Sequence, residues 1–86
     1  MIKYVYASKN KLSGNFNMPV LQDFTKENAV ESYSVSALEN PTEQIKELEI
    51  YYLGTFDTKT GQFNQEIEYL VDLGSVIENG RRKENA

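Results

Sequence analysis

Residues 48–57, Leu-Glu-Ile-Tyr-Tyr-Leu-Gly-Thr-Phe-Asp, carry strand-favouring side chains with apolar or aromatic groups on both faces of an extended segment. At a period of two, Leu48, Ile50, Tyr52 and Phe56 share one face, and Glu49, Tyr51, Leu53 and Thr55 share the other. A strand apolar on both sides belongs in the middle of a sheet, covered by a helix on one side and by something else on the other. In a chain of 86 residues, a second copy of the same chain is the expected second cover. That predicts a homodimer whose interface includes Tyr51 and Leu53. Asp57-Thr58-Lys59-Thr60-Gly61 then supplies a short hairpin turn, with Gly where a left-handed backbone is needed. Gln62–Glu66 should return as the partner strand.

The flanking segments suggest what else joins this sheet. Ile2, Tyr4 and Tyr6 alternate with Lys3, Val5 and Ala7, which reads as a strand with one face better suited to burial. Ser8–Asn15 is polar and carries Gly14, as a turn or loop does. Phe16, Met18 and Val20 alternate again around Pro19, which restricts that strand to a sheet edge. A hairpin of 2–7 with 16–20 is expected. Thr25 can cap a following helix, and Ala29, Val30, Tyr33, Ala37 and Leu38 fall on one helical face opposite Glu27, Glu31, Ser34 and Glu39. The pattern favours a helix over 26–39, stopped by Asn40-Pro41, above a rival strand at Val30–Val35. Pro41–Glu47 is an acidic connector with room for a helical turn. Ile67–Ile77 is compatible both with a strand broken at Gly74 and with a short helix. The expected fold class is therefore α+β: a small antiparallel sheet, with hairpins around 2–20 and 48–66, packed by one main helix around 26–39. Residues 1–77 form one domain in this reading, and 78–86 form a disordered polar tail.

Composition removes most catalytic chemistry. The chain has neither His nor Cys, so the commonest general base, the thiol nucleophile and the usual zinc ligands are missing. Gly54 and Gly61 do not have the spacing of a phosphate-binding loop. Asp57-Thr58-Lys59-Thr60-Gly61 differs by one residue from the phosphorylated Asp-Lys-Thr-Gly signature of ion pumps, and a hairpin turn explains it. The i, i+2 pairs Glu47/Glu49 and Glu66/Glu68 read as solvated charge rather than as Mg²⁺ ligands. No enzymatic activity, metal or other cofactor is expected. No stretch approaches the ~20 apolar residues of a membrane-spanning helix, and the N-terminal residues lack a signal-peptide core, so no membrane partner is expected.

Charge and aromatic content point toward binding. The net charge is −4, but residues 1–26 sum to +3, residues 27–78 to −9 and residues 79–86 to +2. Tyr4 and Tyr6 flank Lys3, with Lys9 and Lys11 close behind. Aromatic side chains interleaved with lysines on a small sheet can hold single-stranded nucleic acid, by stacking on bases and attracting phosphates. The candidate nucleic-acid-binding residues are Lys3, Tyr4, Tyr6, Lys9 and Lys11, together with Arg81, Arg82 and Lys83 of the tail.

Ile50-Tyr51-Tyr52-Leu53-Gly54-Thr55-Phe56-Asp57, with Thr60-Gly61-Gln62-Phe63, resembles the core motif of the small nonstructural proteins of gokushovirus-type Microviridae, the single-stranded DNA bacteriophages. Lys3-Tyr4-Val5-Tyr6 resembles their opening strand, and Met18-Pro19 lies where their proline–aromatic patch sits. Ala29-Val30-Glu31-Ser32-Tyr33 with Ala37-Leu38-Glu39-Asn40-Pro41 resembles their helix, and Leu73-Gly74-Ser75-Val76-Ile77 resembles their closing motif. The likeness covers about residues 2–77, and its motifs are structural rather than chemical. The chain departs from the pattern at Glu31 or Ser32, where the family often has Arg, and at Val20 and Leu21, where it commonly has aromatics.

The resemblance implies a DNA-binding, nonstructural phage protein acting in single-stranded DNA genome replication or packaging, in the cytoplasm of the infected bacterial host. The alternative is a protein–protein interaction module that engages a phage or host replication protein without contacting DNA. The overall acidity favours that alternative.

Overall fold

The two-sided strand lies inside the sheet, as its composition requires. A computed structural model describes the backbone of residues 1–84 and the side chains of residues 1–80. Along the chain run β1 (Ile2–Asn10), β2 (Val20–Gln22), α1 (Lys26–Glu39), α2 (Glu43–Lys46), β3 (Leu48–Asp57), β4 (Phe63–Asp72) and α3 (Leu73–Glu84). The four strands form one antiparallel sheet in the order β2-β1-β3-β4, so the fold is α+β. No helix among the described residues is long and apolar enough to cross a membrane.

The hairpin of β3 and β4 turns where expected. Asp57 and Gly61 close the turn through Gly61 N–H donating to the Asp57 carbonyl at 2.8 Å, and Gly61 adopts a φ of 77°. The Asp57 carboxylate accepts from the Lys59 amide at 2.9 Å. This bond, helped by the N-terminal ammonium, holds the Asp57 carboxyl below its ordinary range against the opposing effect of desolvation. The N-terminal hairpin differs from expectation. Phe16 meets β1 in a single isolated bridge to Lys9, and the regularly paired strand begins at Val20, with Val20–Gln22 opposite Tyr6–Tyr4. Pro19 has no N–H to donate, so regular pairing starts only beyond it.

All three helices pack on one side of the sheet. Ala37 of α1, Ile50 of β3, and Leu73 and Ile77 of α3 form one buried cluster, joined by Ile45 of α2. Tyr6, Ala29 and Tyr52 form a second, with Tyr4 and Phe24 against it. Tyr33 and Leu70 touch both clusters. α1 has the expected bounds and buries Ala29 and Ala37, but Leu38 remains half-exposed. Thr25 occupies the N-cap position without a capping bond from its side chain. In α2, by contrast, the Thr42 hydroxyl accepts from the Ile45 amide at 3.2 Å.

The stretch 67–77, compatible with either element, is both strand and helix. β4 ends at Asp72, whose carboxylate accepts from the Gly74 and Ser75 amides at 2.8 and 3.3 Å and so caps α3. α3 then continues to Glu84, so the segment from 78 that composition assigned to a disordered tail is helical that far. The last two residues of that segment, 85–86, lie outside the described residues.

A bulge in β3 corrects the expected division of its faces. Val5 lies opposite Gly54, but Tyr6 lies opposite Tyr52, leaving Leu53 as an extra residue. Beyond it, Thr55 faces Tyr4 on the helix side, while Phe56 lies opposite Lys3 and Phe63 on the other side. Gly54 makes this possible. Its φ is 144°, and a Cβ there would sit 1.9 Å from the Asn64 carbonyl oxygen.

Candidate functional site

Residues opposed across neighbouring strands share a face. On the side away from the helices, Ala7 lies opposite Tyr51 and Tyr51 opposite Tyr69. Phe16 reaches the same side through its bridge to Lys9. The result is a row of three rings. Phe16 meets Tyr51 edge-on with centroids 5.1 Å apart, and Tyr51 meets Tyr69 edge-on at 5.7 Å. Tyr69 keeps 50% of its surface exposed, and Phe16 is similarly open. Lys9 stretches over the row, its ammonium 5.4 Å from the Phe16 centroid and 5.5 Å from that of Tyr51.

Next to this row lies a cleft of about 260 Å³ lined by Phe16, Leu53, Phe63, Gln65 and Ile67. Phe63 and Ile67 are half-exposed. Bulge geometry and strand alternation thus bring the aromatic half of β3 and β4 onto one uncovered face. Burial, and then the nearby Asp72 and Glu49 carboxylates, push the Tyr69 hydroxyl above its ordinary pKa.

The structure separates the residues proposed from sequence. Tyr6 is wholly buried on the helix side, where its hydroxyl donates to the Phe24 carbonyl at 2.7 Å. Tyr4 packs beside it against Tyr52, with centroids 6.5 Å apart. The Tyr6 ring is not available for a base, and Tyr4, partly buried, lies on the helix side away from Lys9. Lys3 is ion-paired with Asp23. Lys11 donates to Asp72 at 2.9 Å. The side chains of Arg81, Arg82 and Lys83 lie outside the described residues. Of the proposed cations whose side chains are described, Lys9 is the one that meets rings instead of a carboxylate. Tyr51 and Leu53, assigned to a dimer interface, lie on this same open face.

Sequence reasoning missed Phe16, Phe63, Ile67 and Tyr69. The alternation of Phe63, Gln65, Ile67 and Tyr69 is the available signal, but alternation marks a return strand without telling which face stays bare. Chemically, the arrangement offers flat apolar rings, one ammonium and a shallow apolar cleft, with the Glu49 and Asp72 carboxylates on the same face at its end. Among the described residues, no group of three or more Asp, Glu, His or Cys side chains converges to hold a metal ion.

Compared with known proteins, the chain matches no family model, no curated protein and no solved structure.

Proposed function

We propose that this chain is a non-enzymatic, nonstructural phage protein acting in single-stranded DNA genome replication or packaging, in the cytoplasm of the infected bacterium. It holds single-stranded DNA on the open face of its sheet. One observation carries the reading: the solvent-facing row Phe16–Tyr51–Tyr69 with Lys9 lying over it. Every base has a π-face, so such a row binds without sequence preference, at ~1–3 kcal/mol per stacked base. Lys9 can trade its ring contacts for a phosphate. The motif resemblance to nonstructural proteins of single-stranded DNA phages supports the same reading.

Charge shapes the expected behaviour. Lys3, Lys11 and Lys26 are engaged with Asp23, Asp72 and Glu68, so few ammonium groups among the described residues remain for phosphates. Binding should therefore depend more on stacking than on counterion release. The logarithmic salt slope should be shallow, about −0.7 for each phosphate contact on a single strand. Fluorescence anisotropy with a labelled oligothymidylate, read across a salt series, tests this. Tyr51→Ala and Tyr69→Ala should each weaken the complex about tenfold or more, and Lys9→Glu should weaken it and flatten the slope. Absence of a complex at about 50 mM salt refutes the reading.

A second reading, a protein partner on the same face, is favoured by the apolar cleft of Leu53, Phe63 and Ile67 and by the acidic total charge. That partner would be a phage or host replication protein, or a second copy in the homodimer expected through Tyr51 and Leu53. DNA and a protein would compete for these rings. Light scattering with and without oligonucleotide distinguishes them: a dimer that dissociates as DNA is added assigns the face to both in turn.

A further inference from the structure

The outer edge of β4 offers a different kind of surface. β4 is the last strand of the sheet, and the seven residues Phe63–Tyr69 are all exposed. Every second residue of an edge strand turns its N–H and C=O outward, where another strand can pair with them. The side chains along this edge are sorted by face. Glu68 lies opposite Tyr52 on the helix side, and Glu66, two residues away, shares that side. Phe63, Ile67 and Tyr69 point to the open side.

This sorting has two consequences. First, it discourages self-pairing in the register centred on Ile67. Two copies of β4 paired antiparallel about Ile67 would set Glu66 of each chain opposite Glu68 of the other, and like charges directly opposed are unfavourable. Second, the same carboxylates suit an incoming strand of opposite charge. Lys26 approaches Glu68 at 3.4 Å but is half-exposed, and no ion pair engages Glu66 among the described residues. Asp72, further along, is already taken by Lys11 and by the α3 amides. Among the described residues, the negative charge offered to a neighbour without a competing partner is therefore that of Glu66, joined by Glu68 once an incoming cation replaces Lys26. Repulsion of the wrong partner and attraction of the right one come from the same two side chains.

We infer that the β4 edge accepts an extended basic segment of a partner protein as a fifth strand. The segment alternates Lys or Arg, on the side of Glu66 and Glu68, with apolar residues that extend the open face beside Ile67 and Tyr69. Backbone pairing supplies affinity, and alternate side chains supply selection. This inference does not depend on DNA binding, because strand pairing at the edge uses the β4 backbone and the Glu66 and Glu68 carboxylates, although Ile67 and Tyr69 border both surfaces.

The test uses the full chain and a fluorescein-labelled peptide of alternating Arg and Val, in the absence of nucleic acid. Saturable binding is expected, with the largest amide chemical-shift changes at residues 63–69 and with new protection of outward β4 amides from hydrogen exchange. Glu66→Gln with Glu68→Gln should weaken binding at least about tenfold, and Glu66→Lys with Glu68→Lys should transfer preference to a Glu–Val peptide. Both positions are exposed, so far-ultraviolet circular dichroism of the variants should match the parent. An N-methylated version of the peptide, unable to pair its backbone, should not bind. The inference is overturned if the Arg–Val peptide does not saturate, if the Gln variants bind it as well as the parent, or if the methylated peptide binds equally. It is also overturned if the shifts map to the helices, or if the free chain proves to be a dimer paired through β4.

Discussion

Raising the pH should destabilise this protein through Tyr6, and the structure sets the size of the effect. Burial, with smaller contributions from Tyr52, Tyr4 and Tyr33, pushes the Tyr6 hydroxyl up to about 12 from its ordinary 10.0. Ionisation would place a phenolate in the core and lose the bond donated to the Phe24 carbonyl at 2.7 Å. The folded pKa is raised, so the folded state holds the proton more tightly than the unfolded chain. The associated stability is complete below pH 10 and is lost as the pH climbs toward 12. Each tenfold difference in proton affinity between the two states is worth about 1.4 kcal/mol. Tyr6 should therefore cost about 1.4 kcal/mol by pH 11 and about 2.7 kcal/mol once both states are ionised. In a domain stabilised by only about 5 kcal/mol, half of the stability would be gone. Urea denaturation followed by circular dichroism between pH 8 and about 11.5 measures this directly. Tyr6→Phe should lose about 1 kcal/mol at neutral pH, from the unpaired Phe24 carbonyl, and should then show a much shallower alkaline decline. The remaining slope belongs to Tyr33, Tyr52 and Tyr69, whose pKa values burial also raises. Equal slopes for the parent and Tyr6→Phe would refute this reasoning.

Other expectations concern single residues and use the same measurement. Gly54→Ala should destabilise by about 3 kcal/mol, because its Cβ would collide with the Asn64 carbonyl at a φ of 144°. Asp72→Ala should cost about 1–2 kcal/mol through loss of the α3 cap, with a further few tenths from the Lys11 pair. Desolvation works against the Asp72 carboxylate, but the Lys11 ammonium and the Ser75 and Gly74 amides outweigh it and hold the pKa below its ordinary value. Its contribution is therefore present above about pH 4 and disappears as the pH falls through the depressed value, an acid limb that Asp72→Ala should weaken.

The sheet and its principal helix are legible in the sequence because local signals and tertiary needs agree there. The two-sided composition of 48–57, the Asp57–Gly61 turn and the Asn40-Pro41 stop all point one way. The departures have physical causes. A strict period of two places Phe56 with Tyr52, but the bulge at Leu53–Gly54 reverses every face beyond it. Pro19 does signal a sheet edge, yet the pairing moves past it instead of ending at it. The polarity of residues 78–84 suggests a loose tail, whereas the Asp72 cap and the buried Leu73 and Ile77 anchor the helix from its other end. The candidate site suffers most from treating charge as available. Lys3 and Lys11 find carboxylates that lie 20 and 61 residues away in sequence, which no local pattern shows. Tyr6 resembles a surface ring because alternation tells which residues share a face, not which face the helices cover.

Everything proposed about DNA depends on the bare side of the sheet being a binding platform for a single strand. A nuclear magnetic resonance titration of the ¹⁵N-labelled chain with oligothymidylate at low salt tests this most directly. Saturating shifts are expected at Lys9, Phe16, Tyr51 and Tyr69, with α1 and α3 unmoved. Shifts confined to the helices, or a spectrum unchanged at saturating oligonucleotide, would contradict it.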